Sequence, residues 1–523
     1  MLQIKNLTIT HRKDLRVILE DFNMTLNDGD KAVIIGEEGN GKSTLLKWLY
    51  QPGMVEDYTE CRGERILGRE RMGYLAQELP QEDREKSIYE YFSQANLFFD
   101  QTPKELAELA RRFALPNDIF YSEQKMGTLS GGEKVKVQLM RLLVDEPTAL
   151  LLDEPSNDID IETLELLENL INEWRGIVLY ISHDETLIER TANVMIHLEQ
   201  IQRKTKSRYT VMKTNYTEYI KRRADAFAHQ AQMAESDRRA KKQRDEKYRR
   251  ILQSVNHAQV TINGAGKDLA DKMQAAHNLK DKMHTVKSMG RRFEKQDEQM
   301  TEMPEQEEAI FFKLGKEESK MPAGKTVVEY DLPELLAPDG SKVLASNIHL
   351  NVRGPERICI IGKNGVGKTT LLKQMAEELL QRKDIRAQYM PQNYEDLLDF
   401  NQNPVEFLDD TGDKEVRTRI RTYLGSLKYT ADEMDHPIGE LSGGQKAKVL
   451  LLKMSLSDAN VLILDEPTRN FSPLSGPVIR QMICQFPGAV ISISHDRKYI
   501  KECCTKVYEL TANGLHSTAG SMD

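Results

Sequence analysis

Runs of four or five apolar residues, each followed by glycines or by polar and acidic residues, recur along this chain of 523 residues. Two of them, KAVII (31–35) and RICII (357–361), end at glycine-rich loops that lead into segments of helical character. Four others end at acidic residues or at Ser-His-Asp, and they are LLLD, LILD, IVLYI and AVISI. Runs of this length that are rich in Ile, Leu and Val predict buried strands. The pattern therefore predicts an α/β fold.

The whole set of segments occurs twice, in the same order and with nearly the same spacing. Three pairs of equivalent residues are each 312 positions apart, and they are Ser130 and Ser442, Glu154 and Glu466, and His183 and His495. An internal repeat on this scale decides the architecture before any single motif does. It predicts two copies of one domain, fused in tandem and able to face each other.

Each glycine-rich loop matches the pattern GxxxxGK[ST] and lies between a predicted strand and a predicted helix, which is the context of a P-loop. Backbone N–H groups of such a loop surround phosphates, and the helix N-terminus adds partial positive charge. Lys42 and Lys368 are expected to reach the β- and γ-phosphates of a nucleotide. The expected nucleotide-binding residues are Gly36, Glu37, Glu38, Gly39, Asn40, Gly41, Lys42, Ser43 and Thr44, and Gly362, Lys363, Asn364, Gly365, Val366, Gly367, Lys368, Thr369 and Thr370.

Two adjacent acids follow the apolar run in each LDEP segment. The end of a rigid strand can hold a carboxylate close to a γ-phosphate, so Glu154 and Glu466 are expected to orient or activate the attacking water. The aspartates before them would assist Mg²⁺. The predicted metal ligands are Ser43, Gln77 and Asp153 in the first copy and Thr369, Gln392 and Asp465 in the second. A Gln at a strand end can also be a simple polar loop residue, which leaves Gln77 and Gln392 open.

His183 and His495 complete the predicted catalytic set. Each follows a β-branched run and lies 29 residues after the predicted catalytic glutamate of its own copy. A single histidine in that position would be read as a satisfied core residue, but the repeated spacing favours a sensor of the γ-phosphate. A further DEPT at 145–148 follows a helical stretch rather than a strand, so we interpret it as a turn in which Pro147 ends the helix.

LSGGE (129–133) and LSGGQ (441–445) place a serine and two glycines at the start of predicted helices, which is an arrangement that binds anions. Since each copy already has a P-loop, a second phosphate-binding loop makes sense if it completes the site of the other copy. Its candidate residues are Ser130, Gly131 and Gly132, and Ser442, Gly443 and Gly444. These motifs resemble the signature of the ATP-binding-cassette (ABC) superfamily, in which two domains enclose two ATP molecules head to tail.

That resemblance implies that Lys42 works with Ser442 and that Lys368 works with Ser130. It also implies ATP and Mg²⁺ as cofactors and ATP hydrolysis to ADP and phosphate as the activity. Members of the superfamily usually present an aromatic residue to the adenine. His11 lies in about the right place in the first copy, and Tyr330 is the weaker candidate in the second.

Between the two copies lies a polar segment with helical periodicity. Apolar or small residues recur at steps of three and four from Ile220 to Ala234 and again from Leu269 to Phe293, which predicts one helix face in each half. Gly264 and Gly266 interrupt the pattern. The expected form is a pair of antiparallel helices joined by a tip near 253–268, with about 30 residues and about 45 Å in each helix.

Charge separates this segment from the rest of the chain. Residues 221–300 contain 19 Lys and Arg against 11 Asp and Glu, so their net charge is +8. The net charge of the whole chain is −9, so the rest of the chain carries −17. Few aromatic residues accompany the basic ones, which favours contacts with a phosphate backbone over stacking on bases. A solvated charged hairpin that only separates the domains is the alternative.

No run of about 18 apolar residues occurs, so no membrane span is expected and the protein is expected to be cytoplasmic.

Two soluble cassettes joined by a helical linker resemble the ABC-F proteins, which are ribosome-associated ATPases, over nearly the whole chain. The residues after the catalytic glutamates, SNDID (156–160) and TRNFSPLS (468–475), are similar to those of the antibiotic-resistance group that includes the Vga, Lsa and Sal proteins. The resemblance implies a 70S ribosome, ribosomal RNA and P-site tRNA as partners. It also implies a linker that enters the ribosomal exit site towards the peptidyl transferase centre and protects against lincosamides, streptogramin A and pleuromutilins.

The expected organisation is a first ABC ATPase domain at 1–219, a helical linker at 220–300 and a second ABC ATPase domain at 301–523, in a monomer whose two ATPase domains pair with each other. The residues expected nearest the peptidyl transferase centre are Val255, His257, Val260 and Ile262. Asn470 and Ser472 replace acids of the first copy, so the two ATP sites are expected to hydrolyse at different rates. Alternatives are an ABC-F translation factor without a drug role and, in another class, the ATPase subunit of a drug exporter.

Overall fold

A computed structural model describes residues 1–201, 205–264, 269–297, 300–304, 313–315, 317–340 and 342–518, without the side chains of 256, 258–264, 269–279, 281 and 395. The chain divides into two compact units. One combines Met1–Tyr216 with Glu307–Asp523, and the other consists of Thr217–Gln306. The first and second domains, as used below, are the two halves of the larger unit.

The first domain is built on a parallel sheet. Its strands are β1 (Leu2–His11), β2 (Val17–Leu26), β3 (Lys31–Ile35), β4 (Thr59–Ile66), β5 (Met72–Leu75), β6 (Ala149–Asp153), β7 (Ile177–Ile181), β8 (Val194–Ile201) and β9 (Lys206–Met212). Its helices are α1 (Lys42–Tyr50), α2 (Gln81–Arg84), α3 (Ile88–Phe92), α4 (Pro103–Arg112), α5 (Gly131–Val144), α6 (Ile161–Glu173) and α7 (Glu185–Thr191). The central sheet has the order β5-β6-β7-β3-β8-β9, parallel except for the β8–β9 pair, and β2-β1-β4 form a separate antiparallel sheet.

The smaller unit contains a helical pair formed by most of α8 (Tyr216–Gly264) and by α9 (Leu269–Asp297). The two helices run antiparallel, because Arg244 pairs with Asp297 whereas Tyr248, one turn further along α8, stacks edge to face on Phe293 with ring centroids 5.7 Å apart. Val255 and Val286 are buried. The polar sequence still forms long helices because this narrow apolar seam is buried between them.

The first helix is longer than the periodicity predicted. It has 49 residues and continues to Gly264, so residues 253–264, which the sequence assigned to the tip, are helical. The reason is that SVNHAQVTIN contains no proline and no glycine, and the break therefore comes only at Gly264. Residues 265–268 lie outside the described part of the chain. Val255 lies in the seam and His257 is exposed, while the side chains of Val260 and Ile262 are not among those described.

The second domain repeats the first with small differences. Its strands are β10 (Thr326–Leu336), β11 (Val343–Arg353), β12 (Arg357–Ile361), β13 (Ala387–Met390), β14 (Val461–Asp465), β15 (Ala489–Ile493), β16 (Lys506–Thr511) and β17 (Gly514–Ser517). Its helices are α10 (Lys368–Gln381), α11 (Pro404–Leu408), α12 (Lys414–Ser426), α13 (Ala431–Asp435), α14 (Gly443–Leu456), α15 (Gly476–Cys484) and α16 (Arg497–Cys503). The sheet order β13-β14-β15-β12-β16-β17 matches that of the first domain strand for strand, and β10 pairs with β11.

The apolar runs become the sheet cores, as their composition predicted. The strands β3, β6, β7, β14 and β15 are buried at every residue. In the first domain they pack with α1 and with the antiparallel strands β1 and β2 around Phe22 and Trp48. The predicted α/β fold with two repeated P-loop domains and a helical pair between them in sequence is confirmed. Within the described ranges, no helix combines the length and the apolar character that crossing a bilayer requires.

Candidate active site

The predicted site residues of each domain meet at one edge of its sheet. In the first domain Gln77, Glu154, His183 and the P-loop follow β5, β6, β7 and β3, which are neighbours in that order. The carboxyl ends of adjacent parallel strands lie at the same edge, where open α/β sheets bind their ligands. The second domain repeats this arrangement with β13, β14, β15 and β12. The sequence could anticipate this convergence from the order of its motifs, but not from any one of them.

The two P-loops hold their lysines in the same way. Lys42 Nζ donates to the carbonyl oxygens of Gly36 and Glu37 at 2.9 and 3.0 Å, and Lys368 Nζ donates to those of Gly362 and Lys363 at 2.8 and 3.0 Å. Both lysines are buried, and burial lowers the pKa of Lys368. A buried ammonium group whose hydrogen-bond partners are neutral carbonyl oxygens keeps its charge available to bind an anion, which fits the phosphates of ATP.

The first glycine of each loop has a structural reason. Gly36 has φ +142°, and a Cβ there would lie 2.2 Å from the carbonyl oxygen of Leu198. Gly362 has φ +145°, and its Cβ would lie 2.5 Å from the carbonyl oxygen of Leu510. The loop therefore passes directly against the neighbouring strand, which only glycine permits.

The hydroxyl and the aspartate that were predicted to bind magnesium lie close together in both copies. Ser43 Oγ donates to Asp153 Oδ1 at 2.9 Å, and burial raises the pKa of Asp153 to about 6, although Ser43 counteracts this. Burial likewise raises the pKa of Asp465 to about 6, although Thr369 counteracts this. A hydroxyl beside a buried carboxylate fits Mg²⁺, which takes few protein ligands and several oxygens from phosphate and water. The described residues contain no group of three His, Cys, Asp or Glu side chains placed to hold a metal.

The two glutamines point to different partners. Gln77 Nε2 donates to Glu154 Oε2 at 2.9 Å, within its own domain. Gln392 Nε2 instead donates at 3.1 Å to Asp158 Oδ1, in the loop that follows β6 of the first domain. The equivalence that the sequence predicted for the glutamines therefore does not extend to their contacts, and their role towards Mg²⁺ stays a prediction.

Glu154 is oriented by three side chains. Its carboxylate accepts from Gln77 and Asn157, and His183 Nε2 lies 3.2 Å from Oε1. Burial raises the pKa of Glu154, but the positive charges of His183 and Lys42 and the hydrogen bonds from His183 and Asn157 outweigh burial and lower it to about 2. Glu154 is therefore an ionised base at neutral pH, aimed towards the P-loop.

Glu466 has the same backbone but a different electrostatic environment. Both glutamates have a left-handed backbone, with φ +52° for Glu154 and +51° for Glu466. From the described residues Glu466 accepts only long hydrogen bonds, from Ser494 Oγ at 3.4 Å and from the amide of His495 at 3.3 Å. Burial and the neighbouring Asp465 raise its pKa to about 8, while burial lowers the pKa of His495 to about 4. At neutral pH the second site therefore pairs a neutral carboxyl group with a neutral imidazole.

Each P-loop faces the signature loop of the other domain. A cavity of about 390 Å³ is lined by Lys368, Thr369 and Glu466 of the second domain and by Gly131 and Asp158 of the first. On the other side, Ser442 and Gly444 of the second domain lie beside Glu37 and Glu38 of the first P-loop. Both signature serines cap their helices, with hydrogen bonds from the amides of Glu133 and Gln445. The head-to-tail geometry that the motifs implied is therefore present.

Asp158 is a contact residue that sequence reasoning did not single out. Its carboxylate accepts from Gln392 and from Arg469 NH2, the latter at 2.7 Å, and its carbonyl oxygen accepts from Asn364 Nδ2 at 2.6 Å. All three partners belong to the second domain. The mismatch between Asp158 and its counterpart Asn470 was the only signal in the sequence, and it could not identify these partners.

A second contact between the domains lies away from the nucleotide sites. Arg480 NH1 donates to Glu185 Oε1 at 2.6 Å, and both side chains are almost completely buried. Lys498 Nζ lies 3.2 Å from the other oxygen of Glu185. Gly476 makes room for this pair, because a Cβ there would lie 2.2 Å from Glu185 Oε1. No motif marks these residues, so the sequence alone gave no reason to expect them.

The two candidates for contact with adenine, and the additional DEPT segment at 145–148, lie as follows. His11 ends β1, with Nδ1 2.8 Å from Asp14 Oδ1, and Tyr330 lies in β10 with its hydroxyl 3.4 Å from Gln374 Oε1. Their role towards adenine stays a prediction. The segment 145–148 connects α5 with β6, as interpreted from the sequence.

The fold and this geometry define a pair of P-loop ATPase domains in which each P-loop faces the signature loop of the other domain. The sequence profile described as ABC transporter matches residues 19–157 and 345–469. The chain belongs to this family, and it is an ATPase.

The relatives extend over nearly the whole chain. It is 26% identical to the ribosome protection protein VmlR of Bacillus subtilis, over 98% of this chain and 88% of that protein. It is also 26% identical to the putative ATP-binding protein YdiF of the same organism, over 100% of this chain and 82% of that protein. ABC transporter F family member 2 of Arabidopsis thaliana is 26% identical over 96% of this chain and 76% of that protein. The resemblance to the ABC-F ATPases is confirmed by these relatives.

Among solved structures, the archaeal ribosome recycling factor aABCE1, in complex with the ribosomal stalk protein aP1, aligns with a TM-score of 0.59. The alignment covers 98% of this chain and 90% of that one at 18% identity. At this identity the similarity establishes the fold of the paired domains and nothing further.

Proposed function

We propose that this chain is an ATP-dependent ribosome-binding protein whose helical linker enters the ribosomal exit site towards the peptidyl transferase centre. There it would protect the ribosome from lincosamides, streptogramin A and pleuromutilins, and its place of action would be the cytoplasm. The observation that carries the proposal is a basic helical pair located in sequence between two ATPase domains that form composite sites. VmlR, named a ribosome protection protein, supports it because the similarity includes the linker.

The helical pair offers cations to a polyanion. Its exposed basic side chains include Arg238, Arg239, Lys242, Lys247, Arg249, Arg250, Lys282, Lys287, Arg291 and Arg292. Lys247, Arg249 and Arg250 lie within one turn of α8, and none of the three forms an ion pair with another described residue. Tyr248, in the middle of this cluster, packs on Phe293 and is not available for stacking on a base. Exposed cations without free aromatic rings favour contacts with an RNA phosphate backbone.

ATP binding at the two ATPase sites would promote this binding to the ribosome. Lys42 and Lys368 would hold the β- and γ-phosphates of ATP, and the signature loop of the opposite domain would contact the γ-phosphate. Ser43 with Asp153, and Thr369 with Asp465, would hold Mg²⁺, which neutralises the charge that develops on the phosphates. Glu154 would accept a proton from the attacking water while His183 holds its carboxylate. Because each ATP would contact both domains, binding would shift the population towards the closed pair.

The first test traps the closed state. The double variant E154Q/E466Q binds ATP without a carboxylate base at either site, so with ATP it should remain on 70S ribosomes in a sucrose gradient. In this background, replacing Lys247, Arg249 and Arg250 together by Ala should weaken ribosome binding about tenfold or more and reduce its salt dependence, because three phosphate contacts are lost.

The matched control removes the same charge elsewhere. Lys13, Lys104 and Lys383 are exposed on the ATPase domains, and their joint replacement by Ala should weaken binding much less. If the double variant sediments apart from ribosomes when ATP is present, or if the two triple variants weaken binding equally, the proposal is wrong.

The relatives also favour a second candidate. YdiF matches this chain as well as VmlR does and is named only as an ATP-binding protein, so an ABC-F translation factor without a drug role fits the same sites. Alanine at His257, Val260 and Ile262 separates the two candidates. These changes should abolish growth in the presence of a lincosamide or a pleuromutilin while ribosome binding persists. V255A is the control for packing, since Val255 is buried in the seam. Full resistance in the triple variant, or no resistance in the parent, would favour the translation factor.

A further inference from the structure

The two P-loops differ sharply in charge at their second and third positions. The first loop has Glu37 and Glu38 after its leading glycine, where the second has Lys363 and Asn364. Carboxylates are unexpected in a loop that binds triphosphate, because they repel the phosphates. The contacts of these two acids therefore have to explain what they do.

Glu38 reaches the signature loop of the opposite domain. Its Oε2 accepts a hydrogen bond from the amide of Gly444 at 2.6 Å. Both carboxylate oxygens lie 3.3 Å from the point where a Cβ on Gly443 would be. The carboxylate thus lies at the N-terminus of α14, a helix of 14 residues, where the Gly444 amide donates to it. This is the position of an anion at a helix N-terminus, and here the anion is a side chain of the protein itself.

Glu37 makes a second contact with the same helix, α14. Its Oε1 lies 2.7 Å from Lys448 Nζ, one turn further along α14, and Lys448 is buried with 8% of its side chain exposed. The second P-loop reverses this charge, because Lys363 pairs with Glu162 at 3.0 Å. The counterpart of Lys448 in the first domain is Lys136, which would repel Lys363. The acidic pair and its contact with a signature-helix lysine therefore belong to the first P-loop, and the second P-loop has a lysine in place of Glu37.

The surroundings of the two signature loops differ accordingly. Lys368 of the second P-loop and Gly131 of the first signature loop line one cavity of about 390 Å³, whereas Glu38 of the first P-loop contacts the second signature loop directly. Asn364, the counterpart of Glu38, donates to the carbonyl oxygen of Asp158 and leaves the first signature loop without a carboxylate from the P-loop. The Gly444 amide at the start of the second signature helix thus already binds a carboxylate of the opposite P-loop, whereas Gly131 of the first signature helix lines a cavity.

We propose that Glu38 competes with the γ-phosphate of ATP for the signature loop of the second domain, so that it sets the ATP affinity of the first composite site. The inference rests on the proposed function, in which Lys42 and the Ser442 loop share one nucleotide. ATP must displace the Glu38 carboxylate from the Gly444 amide before the site closes around it. ADP has no γ-phosphate and does not need that amide, so Glu38 discriminates against ATP specifically.

The test measures nucleotide affinity at the first site alone. In the full chain, E154Q and E466Q prevent hydrolysis and K368A removes nucleotide from the second P-loop. On this background E38N gives the first loop the residue of the second. It should lower the Kd for ATP about tenfold, since a hydrogen bond to a charged group is removed from the competing state. The Kd for ADP should change less than about twofold, because no contact of ADP is involved. E38Q, which keeps the length but not the charge, should give an intermediate ATP affinity.

A role of Glu38 in loop shape only would give a different result. In that case E38N changes the affinities for ATP and ADP by the same factor, and the inference is overturned. It is also overturned if E38N weakens ATP binding, since the carboxylate would then assist the nucleotide. The proposed function fails in a distinguishable way, because K42A on the same background would then leave ATP binding intact. Binding that depends on Lys42, with an unchanged ratio of ATP to ADP affinity in E38N, contradicts this inference alone.

Discussion

Replacing Glu154 with Gln in the E466Q background, where only the first site has a base, should lower the steady-state ATPase rate at pH 7 by a factor of about 10² to 10⁴, which is the usual contribution of a positioned general base. Glu154 is ionised, because His183, Lys42 and Asn157 outweigh burial and lower its pKa to about 2. A glutamine keeps the shape and can still contact Asn157, but it cannot accept the proton. Release of phosphate, followed at saturating ATP and Mg²⁺, measures the change.

The same substitution at Glu466 should have a much smaller effect at neutral pH. Burial and Asp465 raise the pKa of Glu466 to about 8, so the wild-type side chain is mainly neutral at pH 7 and resembles the amide that replaces it. The E154Q variant, in which the second site alone retains its base, should therefore become about tenfold faster between pH 7 and pH 9, as the fraction of ionised Glu466 rises. The E466Q variant should show no such increase.

The chain provides its own control for these variants. Glu146 belongs to the additional DEPT segment at 145–148 and lies exposed between α5 and β6. Like Glu154 it lies between an aspartate and a proline, but it is not at the end of a buried strand. E146Q should leave the ATPase rate unchanged. Equal losses for E154Q and E466Q at pH 7 would contradict the difference in protonation that the two environments produce.

Replacing Arg480 with Ala should be the most destabilising single change at the contact between the ATPase domains. Removal of one partner from a buried ion pair costs about 3–5 kcal/mol, because the other charge is left unpaired in the interior. Lys498, 3.2 Å from Glu185, offsets part of this loss, so the free energy of unfolding should fall by about 2–4 kcal/mol. The midpoint of urea denaturation of the full chain, followed by circular dichroism, measures the effect.

An exposed arginine nearby gives the comparison. Arg190 pairs with Glu168 at 3.1 Å, but 53% of its side chain is exposed. R190A should therefore cost less than about 1 kcal/mol, because Arg190 is exposed and Arg497 still pairs with Glu168. Similar losses in R190A and R480A would mean that the domains do not meet through a buried ion pair in solution.

The sequence was most informative where a motif is short and its chemistry local. The P-loop, the LDEP acids and the Ser-His-Asp histidines could be placed at the sheet edge because each follows a run that can only be a buried strand. The linker was predicted as a helical pair, but its first helix is longer than expected. Periodicity becomes weak where the seam is narrow, so the apolar spacing could not show that the helix continues from residue 253 to Gly264.

The sequence by itself determined the repeat, the α/β domains, the motif residues that meet at the edge of each sheet and the basic character of the helical pair. All of these depend on residues close together in the chain, on composition or on spacing that occurs twice. The tertiary structure alone decided that Glu38 reaches Gly444, that Asp158 binds Gln392 and Arg469, and that Arg480 meets Glu185. It also decided that Glu154 and Glu466, identical in motif and backbone, differ in protonation. Such properties depend on groups hundreds of residues apart, which only packing brings within the few ångströms over which hydrogen bonds and buried charges act.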